Sequence, residues 1–220
     1  MSEFDAEAYK KMVKSYQDRD DPTGWFDSIY KAADGDHRAV FWADLEPNPY
    51  LVRWLNNAPV AHTDRSAVVI GCGVGDDAEA LSREGYRVTA FDISPEAIRL
   101  CKKRWPDTTV DYLVADLFDY PPEWAGRFSL VFECNTIQVL PGAYRVRARD
   151  AMVSLLAPGG YLLVSCRSRL AGTQLDDIPL PLDRDEMDGF VRAGLHEEHF
   201  EAYDDTQDPP VPHFFAVYRR

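Results

Sequence analysis

The chain has 220 residues, 45% of them apolar, with 37 acidic against 24 basic side chains and a formal net charge of −13. That length buries one full core and seldom two, and no lysine or arginine run is long enough to follow a phosphate backbone, so nucleic acid is excluded as a partner. No segment reaches the ~20 apolar residues of a membrane span, and Met1-Ser2-Glu3-Phe4-Asp5 carries no basic-then-apolar targeting pattern, so a cytoplasmic protein without membrane contact is expected.

Three helices are predicted before any strand: residues 4–17, ended by the charged break Asp18 to Pro22; Trp25 to Ala33, ended by Gly35; and Tyr50 to Asn56, started by Pro47 and Pro49. Because they precede the first strand, they are expected to cover the carboxyl edge of a sheet and exclude water from it. The first strand, around Ala67 to Ile70, runs into Gly71-Cys72-Gly73-Val74-Gly75 and then at once into helix-forming Asp76-Asp77-Ala78-Glu79. Glycine has no Cβ, so such a loop can turn sharply and let a ligand lie against bare backbone, with the amides of the following helix behind it. A dinucleotide fingerprint would place its third glycine where Asp76 stands, which disfavours a nicotinamide-dependent dehydrogenase.

A second strand, Tyr86 to Phe91, ends in Asp92, about 20 residues past the first glycine, where a carboxylate can accept both hydroxyls of a ribose. Ser94-Pro95-Glu96 opens the next helix, with serine as N-cap and proline in the first turn, and so puts Asp92 and Ile93 at a strand's carboxyl end. Strand-like Val110 to Val114 leads into Ala115-Asp116-Leu117-Phe118, an acidic residue between apolar ones that suits an adenine, with Leu117 lining it. The fourth strand, Phe128 to Phe132, ends in Glu133-Cys134-Asn135, and the fifth, Tyr161 to Cys166, follows Pro158-Gly159-Gly160. A helix from Arg184 to Ala193 and two further strands, Glu197 to Tyr203 and His213 to Tyr218, turning at Asp204 to Pro210, complete the pattern.

Gly71-Cys72-Gly73-Val74-Gly75, Asp92, Asp116 and Leu156-Ala157-Pro158-Gly159-Gly160 stand in the order found in class I S-adenosylmethionine-dependent methyltransferases, which the chain resembles over roughly residues 60–170. Trp25 to Leu55, with Phe41-Trp42-Ala43-Asp44-Leu45-Glu46-Pro47-Asn48-Pro49, and Gly71 to Glu79 resemble more narrowly the thiopurine S-methyltransferase group and its bacterial small-molecule relatives. Many class I members have an acidic residue two positions before the first motif glycine; Val69 here agrees with the thiopurine-type variant. The resemblance implies an α/β, Rossmann-like fold: a seven-stranded, mostly parallel sheet, helices on both faces, and one methyltransferase domain over 1–220 with an N-terminal lid (1–60) on a catalytic core (61–220).

It also implies S-adenosyl-L-methionine as cofactor, S-adenosyl-L-homocysteine as product, and a small-molecule acceptor, with a thiol or thiopurine-like sulfur expected first and oxygen or nitrogen second. A non-catalytic S-adenosylmethionine-binding protein is the alternative from another class; the protein is expected to be a monomer or homodimer. Expected cofactor-binding residues are Trp25, Trp42, Gly71, Cys72, Gly73, Gly75, Asp92, Ile93, Asp116, Leu117, Glu133 and Asn135. Trp25, Tyr30 and Trp42 read equally as an aromatic lid over a sulfonium or as helix core. Gln138, Arg167 and His37 are the substrate-pocket candidates: Gln138 follows strand four, Arg167 can hold an anion or stabilise a thiolate, and His37 is the one histidine of the lid. His62, His196, His199 and His213 lack metal-ligand spacing, and Cys72, Cys101, Cys134 and Cys166 form no C-x-x-C, so neither a metal nor a redox motif is expected. No thiol nucleophile is expected either, since methyl transfer from a sulfonium needs none.

Overall fold

The computed structural model describes residues 6–19, 21–57, 65–175 and 178–220. The first two residues of the expected opening helix, the expected boundary between residues 60 and 61, and His62 lie outside them. Three helices come first: α1 (Ala6–Gln17), α2 (Trp25–Ala32) and α3 (Pro49–Asn57), with a 3-10 turn at His37–Ala39. The alternating part follows as β1 (Ser66–Ile70), α4 (Asp76–Arg83), β2 (Arg87–Asp92), α5 (Pro95–Arg104), β3 (Asp111–Val114), β4 (Phe128–Cys134), α6 (Gly142–Leu155) and β5 (Leu156–Arg167). Helix α7 (Arg184–Arg192) and strands β6 (His196–Asp204) and β7 (Pro212–Arg219) close the chain.

The seven strands form one sheet in the order β3-β2-β1-β4-β5-β7-β6. Strands β1 to β5 pair in parallel, and β7 is antiparallel to both β5 and β6. The inner strands β1 and β4 read as near-continuous apolar runs because helices cover them on both sides. On one face Val68, Ile70, Val131, Leu162 and Val164 pack with Ala148, Met152 and Leu155 of α6 and Met187 and Phe190 of α7. On the other, Ala67, Val69, Phe132 and Leu163 pack with Leu51 of α3, Ala78 and Leu81 of α4, and Ile98 and Cys101 of α5. The strand order reverses between β1 and β2 on one side and β4 on the other, so the crevice of this open sheet lies at the carboxyl ends of those three strands.

Helix α6 is absent from the elements read in the sequence. Arg145, Arg147 and Arg149 interrupt its apolar pattern, and only Ala148, Met152 and Leu155 are buried. The expected N-cap of α5 is in place, with the Ser94 hydroxyl accepting from Ala97 N at 3.1 Å. That hydroxyl also donates to Asp27 Oδ1 of α2 at 2.6 Å. Ser94→Ala is therefore expected to destabilise the protein by about 1–2 kcal/mol, read as a shift of the urea midpoint at unchanged slope; an unshifted midpoint would show that cap and tie are dispensable.

Candidate functional site

The loop after β1 explains why glycine is needed there. Gly71, Gly73 and Gly75 have φ of +60°, +57° and +95°, the left-handed region that other residues enter at a cost of roughly 1–2 kcal/mol. A Cβ on Gly71 would overlap Thr136 Oγ1, and one on Gly75 would overlap the Tyr112 hydroxyl and sit 3.1 Å from Trp105 Nε1. Between them, the Cys72 N–H donates to Phe91 O at 2.9 Å and ties the loop to the end of β2. The Cys72 thiol is pushed up by its hydrogen bond with Cys101 and by burial, which makes it a poor nucleophile.

Asp92, at the end of β2, is 6% exposed and accepts from Gly73 N at 3.1 Å and Ser94 N at 2.9 Å. Burial pushes its carboxyl up to about 6, against the backbone N–H groups that favour the charged form. Ile93 follows it half-buried. Half-buried Asp116 accepts from Phe118 N at 2.8 Å and so shapes the turn after β3, and Leu117 packs into the core beside Phe91 and Trp124.

Glu133, at the end of β4, is fully buried. Its Oε2 accepts from Thr136 N at 3.0 Å and Ile137 N at 3.1 Å, while Oε1 is sealed without a partner among the described residues. Burial pushes this carboxyl up to about 8, against those two donors. Presenting no surface, Glu133 holds the loop after β4, and a ligand would feel it through that loop. Asn135 in this loop is left-handed (φ +60°), and its Oδ1 is the other sealed, unpartnered side-chain atom. Buried Gln138 accepts from Arg167 N at 2.5 Å through Oε1 and from Leu180 N at 2.7 Å through its carbonyl, which ties the loop to the end of β5.

The N-terminal helices reach these same strand ends. Asp27 meets Ser94, the Tyr30 hydroxyl lies 3.4 Å from a Cβ built on Gly73, and Asn48 donates to Asp77 Oδ1 at 2.7 Å and Ser165 Oγ at 3.0 Å. Burial pushes the Asp77 carboxyl up to about 7, against the Asn48 N–H. Trp25 is 1% exposed, donates to Pro22 O at 2.9 Å and stacks on Phe26, so it packs the interior of the helical layer. Trp42 is half-buried and donates to the Tyr30 hydroxyl at 3.3 Å, next to the glycine loop. His37 stands beside the Arg104–Asp76 ion pair (2.6 Å), and burial and Arg104 lower its basicity. No hydrogen bond joins His37 to Gln138 or Arg167 among the described residues.

Arg167 is half-buried, and its guanidinium makes no ion pair among the described residues. It is near enough to Tyr9 of α1 to pull against the burial that pushes that phenol up to about 12. Loop glycines whose Cβ atoms would collide and a buried carboxylate across from a loop N–H fit a ligand with hydroxyl donors, as S-adenosylmethionine has.

A protein named ubiquinone biosynthesis O-methyltransferase from Thiobacillus denitrificans is 30% identical over 133 residues, 59% of this chain and 56% of that protein. One of the same name from Xylella fastidiosa is 33% identical over 171 residues, 69% of this chain and 68% of that protein. The chain belongs to the class I S-adenosylmethionine-dependent methyltransferases. The family profile described as "Methyltransferase domain" matches residues 67–160 of this chain, from β1 into β5. The first curated relatives are spanned over about half of their own length, 56% and 47%. In fold, the chain is similar to a Burkholderia thailandensis 1,6-didemethyltoxoflavin-N1-methyltransferase, solved with 1,6-didemethyltoxoflavin and S-adenosylhomocysteine bound. That likeness has a TM-score of 0.67 at 16% identity and covers 100% of this chain and 92% of that one. No helix among the described residues is long and apolar enough to cross a membrane.

Proposed function

We propose that this methyltransferase moves the methyl group of S-adenosylmethionine to a hydroxyl oxygen of a small, anionic, planar acceptor. The observation that carries the acceptor class is Arg167, a cation without an ion-pair partner among the described residues, set at the carboxyl end of β5 near Tyr9. A guanidinium offers paired donors to a carboxylate or phenolate and stacks on planar groups. Oxygen is favoured over sulfur because the relatives that match this chain are named O-methyltransferases.

When bound, S-adenosylmethionine supplies a methyl carbon on a sulfonium, open to in-line attack by a lone pair. The chain's own part is positioning, worth on the order of 7–11 kcal/mol when the reactants sit at near-attack distance. Gly71, Gly73 and Gly75 let the backbone approach the cofactor, Asp92 accepts from its ribose hydroxyls, and Asp116 and Leu117 border its adenine. The left-handed turn at Asn135 shapes the loop beside the amino-acid end, and Trp42 presents an aromatic face. Residues 1–220 act as one unit, with the first 60 as a lid that keeps water out.

A sulfur acceptor of the thiopurine kind is the second reading. It rests on the resemblance of Trp25 to Leu55 and on the same Arg167, which would stabilise a thiolate.

The test is calorimetric titration with S-adenosylhomocysteine, followed by a methyl-transfer screen over catechols, phenols, thiols, thiopurines and amines. Turnover confined to hydroxyl acceptors supports the proposal, and turnover confined to thiols moves the assignment to sulfur. Tight binding with no turnover on any acceptor points to a non-catalytic binder, and no binding removes the cofactor assignment.

A further inference from the structure

His213, at the start of β7, is a histidine that neither the glycine loop nor the lid accounts for. It is directly opposite Arg167 of β5 and Tyr203 of β6, so these three side chains share one row on one face of the sheet. The row belongs to the carboxyl end of β5, one strand from the loop after β4 that carries Asn135. With strands roughly 4.8 Å apart, His213 on β7 stands two strands, about 10 Å, from β4, within reach of an acceptor that spans the end of β5.

The ring is held in one tautomer. Its Nδ1 lies 2.8 Å from Val211 O, and since a carbonyl only accepts, Nδ1 must carry the proton. Nε2 therefore carries the free lone pair. It has no hydrogen-bond partner among the described residues and is not one of the sealed polar atoms, and the side chain keeps 9% of its surface exposed. One face of the ring stacks on Tyr203 at 5.4 Å and 18°, which fixes the direction of Nε2.

Asp205 sets this geometry from behind. It accepts from Val211 N at 2.9 Å and Gln207 N at 3.0 Å, so it shapes the β6–β7 turn that presents the Val211 carbonyl to the ring, and its Oδ2 lies 3.9 Å from Nδ1. Those two N–H bonds outweigh burial and hold the Asp205 carboxyl below the usual carboxylate range, so it stays charged. The charged and titratable groups around the ring are Asp205 from the turn, Asp44 from the loop before α3, Arg167 from β5 and Tyr203 from β6. Burial pushes the Tyr203 phenol up to about 12, so it stays neutral. Asp205 thus stands ready to stabilise an imidazolium, as the aspartate of a serine-protease triad does, while burial and the neighbouring Asp205 push the Asp44 carboxyl up.

We propose that His213 is the general base that takes the proton from a hydroxyl acceptor, with Asp205 as its positioning residue. The inference rests on the function proposed above. A phenol of ordinary acidity, near pKa ~10, is almost wholly protonated at neutral pH, so an oxygen acceptor needs a base where a thiol does not. The acceptor oxygen forms the new O–C bond as the C–S bond breaks, its electron pair goes to sulfur to leave a neutral thioether, and the hydroxyl proton passes to His213 Nε2.

The experiment uses the full chain, with catechol and 3,4-dihydroxybenzoate as probes. His213→Asn and His213→Gln are compared with wild type for S-adenosylhomocysteine affinity, kcat, KM and the pH profile of kcat. Imidazole ¹⁵N spectra of the wild type are recorded with and without 3,4-dihydroxybenzoate in the presence of S-adenosylhomocysteine. The expected result is unchanged S-adenosylhomocysteine affinity, which also shows that the variants fold, a kcat lower by about 100-fold or more at similar KM, and loss of the acid limb of the kcat profile. The spectra should place the proton on Nδ1 and show the Nε2 resonance moving when the probe is added. A kcat within about threefold of wild type in a folded variant, or a proton found on Nε2, overturns the inference. If wild type methylates neither probe, the functional reading fails by itself; the role of His213 is then decided by the spectra, and an Nε2 resonance that ignores the probe overturns it.

Discussion

Replacing Glu133 by Gln is expected to abolish a large part of the stability loss that the ligand-free protein undergoes between about pH 4.5 and about pH 8. The folded-state carboxyl is raised from 4.5 to about 8 because it is fully buried, so the unfolded chain releases its proton at lower pH than the folded one does. A group raised in this way leaves its stability intact below the unfolded value and loses it as pH climbs to the folded value. At about 1.4 kcal/mol per pKa unit, the fall assigned to Glu133 is on the order of 3–5 kcal/mol across that window. Asp92 and Asp77, raised by burial to about 6 and about 7, act in the same direction over narrower windows, so the variant keeps a residual slope. Urea unfolding of both proteins at pH 5 and pH 8, without ligand, gives the comparison. Parallel losses in the two proteins would show that Glu133 does not carry the shift.

Such a carboxyl is a poor choice for stability alone, since an apolar side chain would pack there without an ionisable group to bury. What Glu133 does is local. Its Oε2 gathers the N–H groups of Thr136 and Ile137, and that turn places left-handed Asn135 on one side and Gln138, tied to Arg167 N, on the other. The loop between the cofactor end and the acceptor end of the proposed site is thereby fixed from beneath.

Much of this architecture is legible in the sequence because it depends on local rules. A left-handed backbone requires Gly71, Gly73 and Gly75; Ser94 and Pro95 mark the start of α5; and the turn Asp204 to Pro210 announces the β6–β7 pair. The exceptions depend on tertiary context. Helix α6 hides because its three arginines make contacts outside the core, among them Arg145 with Glu186 of α7 and Leu180 O. Strand β5 begins at Leu156, before the Pro158-Gly159-Gly160 signal, because Leu156 already pairs with Phe128 across an irregular register. Whether Glu133 meets a ligand or lies sealed beneath a loop is decided by what packs over β4. His213 gave no signal at all, since Arg167 and Tyr203 meet it only through the antiparallel pairing of β7.

Asp92→Ala is expected to weaken S-adenosylhomocysteine binding by about 1–3 kcal/mol, roughly 5- to 150-fold in Kd, because it removes a charged acceptor from buried hydroxyl donors. The alanine also strips the acceptor from Gly73 N and Ser94 N, so Asp92→Asn, which keeps one carbonyl oxygen, is the second variant. The two are separated by pH. Burial raises the wild-type carboxyl to about 6 when no ligand is bound, and hydroxyl donors favour its charged form. Wild-type affinity is therefore expected to be level above that value and to weaken as pH falls through it, since each binding event must then expel a proton. Asp92→Asn has no proton to expel, so its weaker affinity is expected to stay level over the same range. Titrations at pH 5, 6 and 8 on the three proteins measure both effects. If the two variants bind as tightly as wild type, the ribose does not rest on Asp92, and the carboxylate serves only to tie Gly73 to the N-terminus of α5.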